Sequence, residues 1–218
     1  MLAGCSNQKT EATTAAATES TTAATEATQA ATEKVEAGNT ILPLEDSTME
    51  NLTDAILAVS LEEGGAYVDG DGRMQMDVKI YSYDKYDMVD VSNLKVGDVL
   101  VRNDGEVEIT SLEQNDAGTI LVNGGLENGG FDLGTDDCGL FFEIGYDDAK
   151  NWYEVGEATI RVSTEFKFID NMNPDKEIVV YPGDFLNGTV TDYNFTPRNT
   201  TIRVEEGQIV EMNRVYNP

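Results

Sequence analysis

The sequence contains no histidine. That absence excludes Ser-His-Asp and Cys-His catalysis, imidazole general bases and every histidine-ligated metal site. Basic residues are also scarce: 14 Lys and Arg stand against 41 Asp and Glu, for a formal net charge of −27. Such a surface repels phosphate, so nucleic acid is excluded as a partner. Cations, basic peptides and neutral ligands remain. No run of 18 apolar residues occurs, so no segment reads as a membrane-spanning helix. Cysteine occurs only at Cys5 and Cys138. With Cys5 modified, Cys138 has no partner for a disulfide. Asp132, Asp136, Asp137 and Glu143 around Cys138 disfavour a reactive thiolate, so it reads as a small core or loop residue.

What is present begins with Leu2-Ala3-Gly4-Cys5. This run resembles the lipobox of bacterial surface lipoproteins, where small residues ahead of the cysteine let a peptidase grip extended backbone. The resemblance implies lipidation at Cys5 (a diacylglycerol anchor carrying palmitate-type chains) and a cell-membrane location on the extracytoplasmic face. Met1 is read as a start that replaces a natural signal peptide.

Residues 6–38 are Thr, Ala and Glu in loose repeats, and apart from Val35 nothing larger than Ala is available for a core. Frequent Thr opposes helix and no apolar stripe exists. A disordered stalk is expected, because no burial offsets the ordering entropy. As a coil it spans roughly 30 Å by the ~5–6 Å × √n rule. Its two lysines against five glutamates give −3, so −24 of the chain's −27 falls on the residues beyond it.

Residues 39–218 read as an acidic all-β domain, an antiparallel barrel or sandwich of short strands with little helix, built as one β domain or as two small β subdomains. Period-two alternation recurs over 74–83, with Met76, Val78 and Ile80 on one face. Further strands are predicted over 98–102, 107–110, 119–122, 157–163, 166–169, 177–181, 189–193, 200–204 and 208–215. Asp104-Gly105 and Glu205-Glu206-Gly207 read as hairpin turns. Residues 47–63 fit either a helix or a buried strand at 55–61. The strand is favoured, because the run from Met74 needs a neighbour. Short strands at this spacing indicate a barrel or sandwich.

Leu94-Lys95-Val96-Gly97-Asp98-Val99-Leu100 resembles the turn of self-splicing Hint domains and many small β-barrels. The splicing Cys or Ser and His are missing, so only turn geometry is implied. The domain as a whole resembles lipoproteins of Gram-positive gut bacteria with no assigned activity, which implies a location alone.

Three stretches invite a chemical reading. Asp69-Gly70-Asp71-Gly72 resembles part of a calcium loop, but as an EF-hand it would place Arg73 at position 5, Met74 at position 6 and Ile80 at position 12. A solvated turn fits better. Asn123–Gly130 is glycine-rich but lacks the Lys and Ser/Thr of a phosphate cradle, and reads as turns. The third stretch sets Asp132, Asp136, Asp137, Glu143, Asp147 and Asp148 among Phe131, Phe141, Phe142, Tyr146, Trp152 and Tyr153, and holds the chain's one tryptophan. Aromatic faces stack on sugar rings and carboxylates bind hydroxyls or Ca²⁺. Phe142, Tyr146, Trp152 and Tyr153 are therefore candidate ligand-binding residues, and Asp136, Asp137, Asp147 and Asp148 candidate Ca²⁺ ligands. The competing reading makes Phe141, Trp152 and Tyr153 core.

No catalytic residues are assigned. The first functional reading is a non-enzymatic binding or scaffold module, membrane-anchored through Cys5, whose partner is an envelope glycan or another surface protein. The second is a small carbohydrate- or wall-active enzyme using paired Asp/Glu carboxylates.

Overall fold

The computed structural model describes residues 38–136, 138–146, 149–173, 175–190 and 192–216. By its contacts the chain divides into Met1–Glu36 and Ala37–Pro218. The predicted lipidation site at Cys5 and the predicted stalk up to residue 37 lie outside the described residues, as do three of the four Ca²⁺ candidates, Asp137, Asp147 and Asp148.

The described residues are mostly strand, which bears out the all-β expectation. In chain order the strands are β1 (Thr40–Ile41), β2 (Ala55–Ser60), β3 (Ala66–Val68), β4 (Met74–Ser82), β5 (Lys85–Tyr86), β6 (Val99–Arg102), β7 (Gly105–Glu108), β8 (Leu112–Gln114), β9 (Ile120–Val122), β10 (Phe131–Thr135), β11 (Phe141–Ile144), β12 (Tyr153–Asn171), β13 (Ile178–Val180), β14 (Thr200–Glu205) and β15 (Gln208–Val215). Two five-residue helices, α1 (Met88–Ser92) and α2 (Pro182–Leu186), and two 3₁₀ turns complete the set.

The larger sheet runs β13-β12-β15-β14-β2-β4-β3, and β12 also pairs with β4. That second pairing closes a ring of five strands, β12, β15, β14, β2 and β4. Strand β12 makes this possible by its length. Residues from Tyr153 to Arg161 lie antiparallel to β4, whereas those from Arg161 to Asn171 lie parallel to β15. Its register slips between Glu154 and Gly156 and again between Val162 and Lys167. Such irregularities bend a strand and let a small barrel close. Side chains from alternate positions fill the interior, as a small barrel requires: Met76, Val78 and Ile80 from β4, Phe166 and Phe168 from β12, Ile202 from β14, and Ile209 and Met212 from β15. Phe185 of α2 and Phe195 extend this core, each meeting Phe168 edge to face at 5.4 Å and 5.6 Å.

A second core is separate. Strands β1, β6 and β7 form one small sheet, and β5-β11-β10-β9-β8 another. Between them lie Ile41, Tyr86, Val91, Leu100, Ile109, Val122, Phe131, Leu133 and Phe141. Apart from β1, these strands all come from the segment between Ser82 and Tyr153. Those two residues are themselves paired across β4 and β12, so the segment leaves and rejoins the ring at one place.

Several sequence expectations need correction. Residues 157–163 and 166–169 are parts of one strand, because the bulge between them interrupts the apolar alternation without ending the ladder. Residues 189–193 form no strand among the described positions: Val190 is buried, but the Asp192 carbonyl oxygen accepts from Arg214 Nη1 at 2.7 Å and not from a neighbouring strand. Strands β10 and β11 fall in the acidic aromatic stretch that reads as a site, and they place Phe131, Leu133 and Phe141 in the core. The hairpin between β6 and β7 turns on Asn103-Asp104, with Gly105 already paired to Arg102. The favoured strand reading of 55–61 holds as β2, preceded by a 3₁₀ turn at Thr48–Glu50.

Candidate functional site

The point where the inserted segment leaves and rejoins the ring is the most chemically furnished part of the molecule. Tyr83 lies just beyond β4, Phe142 on β11, and Lys150 and Trp152 just ahead of β12. Tyr83 meets Trp152 edge to face at 5.0 Å and Phe142 at 5.7 Å. The Lys150 ammonium sits 4.1 Å from the Tyr83 ring centre, 5.4 Å from Phe142 and 5.6 Å from Trp152. It also donates to the Tyr83 hydroxyl at 2.9 Å. Lys85 Nζ stands 4.8 Å from the same Tyr83 ring. Each such contact is worth ~0.5–2 kcal/mol according to its desolvation.

A cavity of about 200 Å³ opens beside this cluster, lined by Thr48, Ile56, Tyr81, Ser82, Tyr83, Lys85 and Trp152 among others. Ile56 is 73% exposed although it lies on a strand of the barrel, so its apolar side chain faces the opening. Three aromatic rings, an apolar wall, the hydroxyls of Thr48, Ser82 and two tyrosines, and an ammonium make a surface suited to a ring with an apolar face and a polar rim.

Beside the cavity a polar network ties ring and insertion together. The Tyr153 hydroxyl is pushed up to about 12 by burial, by the charges of Asp84 and Asp46 and by its hydrogen bond to Asp84. Asp84 Oδ2 also accepts from the Asn103 amide at 2.7 Å. For Asp46 burial acts upward, but hydrogen bonds from Ser82 and Thr48 and the charge of Lys85 outweigh it and hold the carboxyl below its ordinary value. Arg102 pairs Glu143 through Nε at 2.9 Å and Asp104 through Nη2 at 2.9 Å, with its guanidinium over Phe131. Burial raises the Glu143 carboxyl despite that arginine. Tyr86, buried within the second core, donates to the Val101 carbonyl at 3.0 Å, and burial drives its hydroxyl far above the ordinary phenol value.

Of the four candidate ligand-binding residues, the structure brings Phe142 and Trp152 together around Tyr83. Tyr153 lies in the adjoining network, while Tyr146 is 74% exposed and shows no ring contact with the cluster among the described residues. The remaining partners, Tyr81, Tyr83, Lys85 and Lys150, escaped sequence reasoning. The run Tyr81-Ser82-Tyr83-Asp84-Lys85-Tyr86 at the end of an apolar strand was the available signal.

Among the described residues, the acidic side chains over 132–143 are bound into the fold. Asp136 Oδ1 accepts from the Cys138 and Leu140 amides, both at 2.9 Å, and Asp132 Oδ1 accepts from the Leu126 amide at 3.0 Å. No group of three or more potential metal ligands occurs among the described residues. Asp69, in the loop resembling a calcium site, accepts from the Arg73 and Asp71 amides and from Gln75, and the Arg73 amide above all holds its carboxyl low. Asn123, in the glycine-rich stretch, uses Oδ1 for the Thr110 and Ser111 amides. Asp98, in the turn resembling Hint domains, is fully buried and accepts from the Asn39 and Lys95 amides. Cys138 is exposed.

A second, larger groove of about 480 Å³ crosses β4 and β12, lined by Glu62, Glu63, Asp77, Lys79, Glu157 and Thr159 among others. Asp77 Oδ1 accepts from Thr159 Oγ1 at 2.7 Å and from the Tyr67 hydroxyl at 3.3 Å, and Lys79 reaches Glu157 at 3.9 Å. It is the roomier of the two, but no aromatic ring lines it, and two of its four carboxylates already have partners. No protein family, curated protein or solved structure matches the chain.

Proposed function

We propose that the chain is a lipoprotein anchored through Cys5 to the extracytoplasmic face of the cell membrane, and that its β unit is a non-enzymatic module binding an envelope glycan. The observation that carries the binding reading is the cavity lined by Tyr81, Tyr83 and Trp152 with Thr48, Ser82 and Lys85. Sugar rings present apolar faces to aromatic planes and hydroxyls to polar groups, and this cavity supplies both. The lipobox run Leu2–Cys5 supports the anchor. Two or three acyl chains at ~0.8 kcal/mol per buried CH₂ hold a protein stably on a bilayer, where one chain does not. Expressed with a lipoprotein leader, the wild type partitions into membranes and Cys5→Ser is released. Retention of Cys5→Ser on membranes contradicts the anchor.

The larger groove favours the second reading, a carbohydrate- or wall-active enzyme, through its four carboxylates. Glycosidases need two carboxyl groups ~5–9.5 Å apart across the scissile bond. Release of reducing ends from peptidoglycan, lost in Glu157→Gln, would establish it. The binding reading expects no such release.

A further inference from the structure

Two ammonium groups converge on one tyrosine ring. Lys150 stands 4.1 Å and Lys85 4.8 Å from the Tyr83 centre. Neither has a carboxylate within ion-pairing distance among the described residues. Asp46 feels Lys85 at longer range, and Asp84 is engaged by Tyr153 and by the Asn103 amide. Like charges at one ring repel, and the repulsion is relieved by an anion placed between or beside them. Lys85 lines the 200 Å³ cavity, and Lys150 lies against Tyr83 and Trp152, which also line it. An anion here sits at the edge of an aromatic platform, not on open surface.

We infer that the cavity takes a sugar bearing a carboxylate, with Trp152 and Tyr83 against the sugar ring and the ammonium groups of Lys85 and Lys150 toward the carboxylate. This rests on the glycan-binding reading and adds the chemical class of the ligand. It also gives selectivity a physical origin. The −27 chain repels anions in general, so only an anion whose ring fits the aromatic wall gains enough to bind.

Trp152 is the chain's one tryptophan, so its emission reports occupancy directly. The full chain is titrated with an oligogalacturonate and with the same oligosaccharide after reduction of its carboxyl groups to alcohols. The acidic form is expected to bind at least tenfold more tightly, with the advantage shrinking as salt screens it. Lys85→Gln and Lys150→Gln should each remove most of that advantage, while Lys85→Arg, which keeps the charge, retains it. Retention of the neutral form's affinity in both Gln variants shows that the cavity is still folded. Equal affinity for the two forms overturns the charge assignment and leaves glycan binding standing. A change in emission with neither form overturns both.

Discussion

Among single residues, Arg214 ties several distant segments of the fold together. Its side chain is almost wholly buried, pairs Asp170 through Nη2 at 2.6 Å and Nε at 3.2 Å, holds the Asp192 carbonyl, and lies over Phe168 and Phe195. Removing one partner of a buried pair leaves the other uncompensated and costs ~3–5 kcal/mol. Arg214→Ala should lower unfolding stability by about that amount in a urea melt, and Arg214→Met with Asp170→Leu should recover much of it. The tyrosines give a pH prediction. A hydroxyl whose pKa is raised in the folded state contributes stability below the unfolded value near 10, and that contribution is lost as pH rises through the folded value. For Tyr153 the window runs from about 10 to about 12. Absorbance titration should show phenols ionising later than the rest, and Tyr153→Phe should remove one and flatten the decline in stability across that window. These roles were not legible in the sequence. Arg214 shares a strand face with the buried Met212, but nothing in its own strand shows that its partners are Asp170 and the Asp192 carbonyl, which come from distant segments.

At the level of elements, alternation carried the reading where one face is buried. Residues 74–82 read as a strand because Met74, Met76, Val78 and Ile80 fall on one side, and the structure has it; residues 208–215 are a strand too, although Ile209 and Val210 put apolar side chains on both faces. The last hairpin turn was legible for a similar local reason: Glu206 and Gly207 have φ of 51° and 73°, the left-handed pair that a two-residue hairpin needs. Gly207→Ala should cost ~1–2 kcal/mol. Gly130 is constrained differently. A β-carbon there would lie 2.0 Å from the Val122 carbonyl oxygen, and a backbone atom cannot swing aside. Gly130→Ala should destabilise by ~1–3 kcal/mol or more, seen as a lower melting temperature with the second core loosened. Within 131–144, Phe131, Leu133 and Phe141 face the core while Asp132 and Asp136 accept from turn amides, and residue type alone does not separate a capping carboxylate from a ligand.

For the molecule as a whole, topology decides where chemistry gathers. The ring closes through one bent strand, the insertion departs and returns at a single paired position, and Tyr83 and Trp152 meet there although a whole core lies between them in the chain. Two of the five members of the cluster, Phe142 and Trp152, stood out by composition, whereas Tyr83 and Lys85 could be joined to it only by the pairing of β4 with β12. The acidity is also a property of the whole. Self-repulsion lowers stability at low salt, so added NaCl should raise the melting temperature, by ~2–4 °C for each kcal/mol of repulsion screened. Ca²⁺ and Mg²⁺ at equal ionic strength should then act alike if screening is the whole effect, and a larger rise with Ca²⁺ would show a calcium site.

The binding reading is tested most directly on an array of peptidoglycan fragments and surface polysaccharides, probed with the wild type and with Trp152→Ala whose folding is checked by circular dichroism. The account predicts that the wild type labels a restricted class of glycans and that the folded variant loses that labelling by tenfold or more. Wild-type labelling no stronger than that of the variant would contradict it.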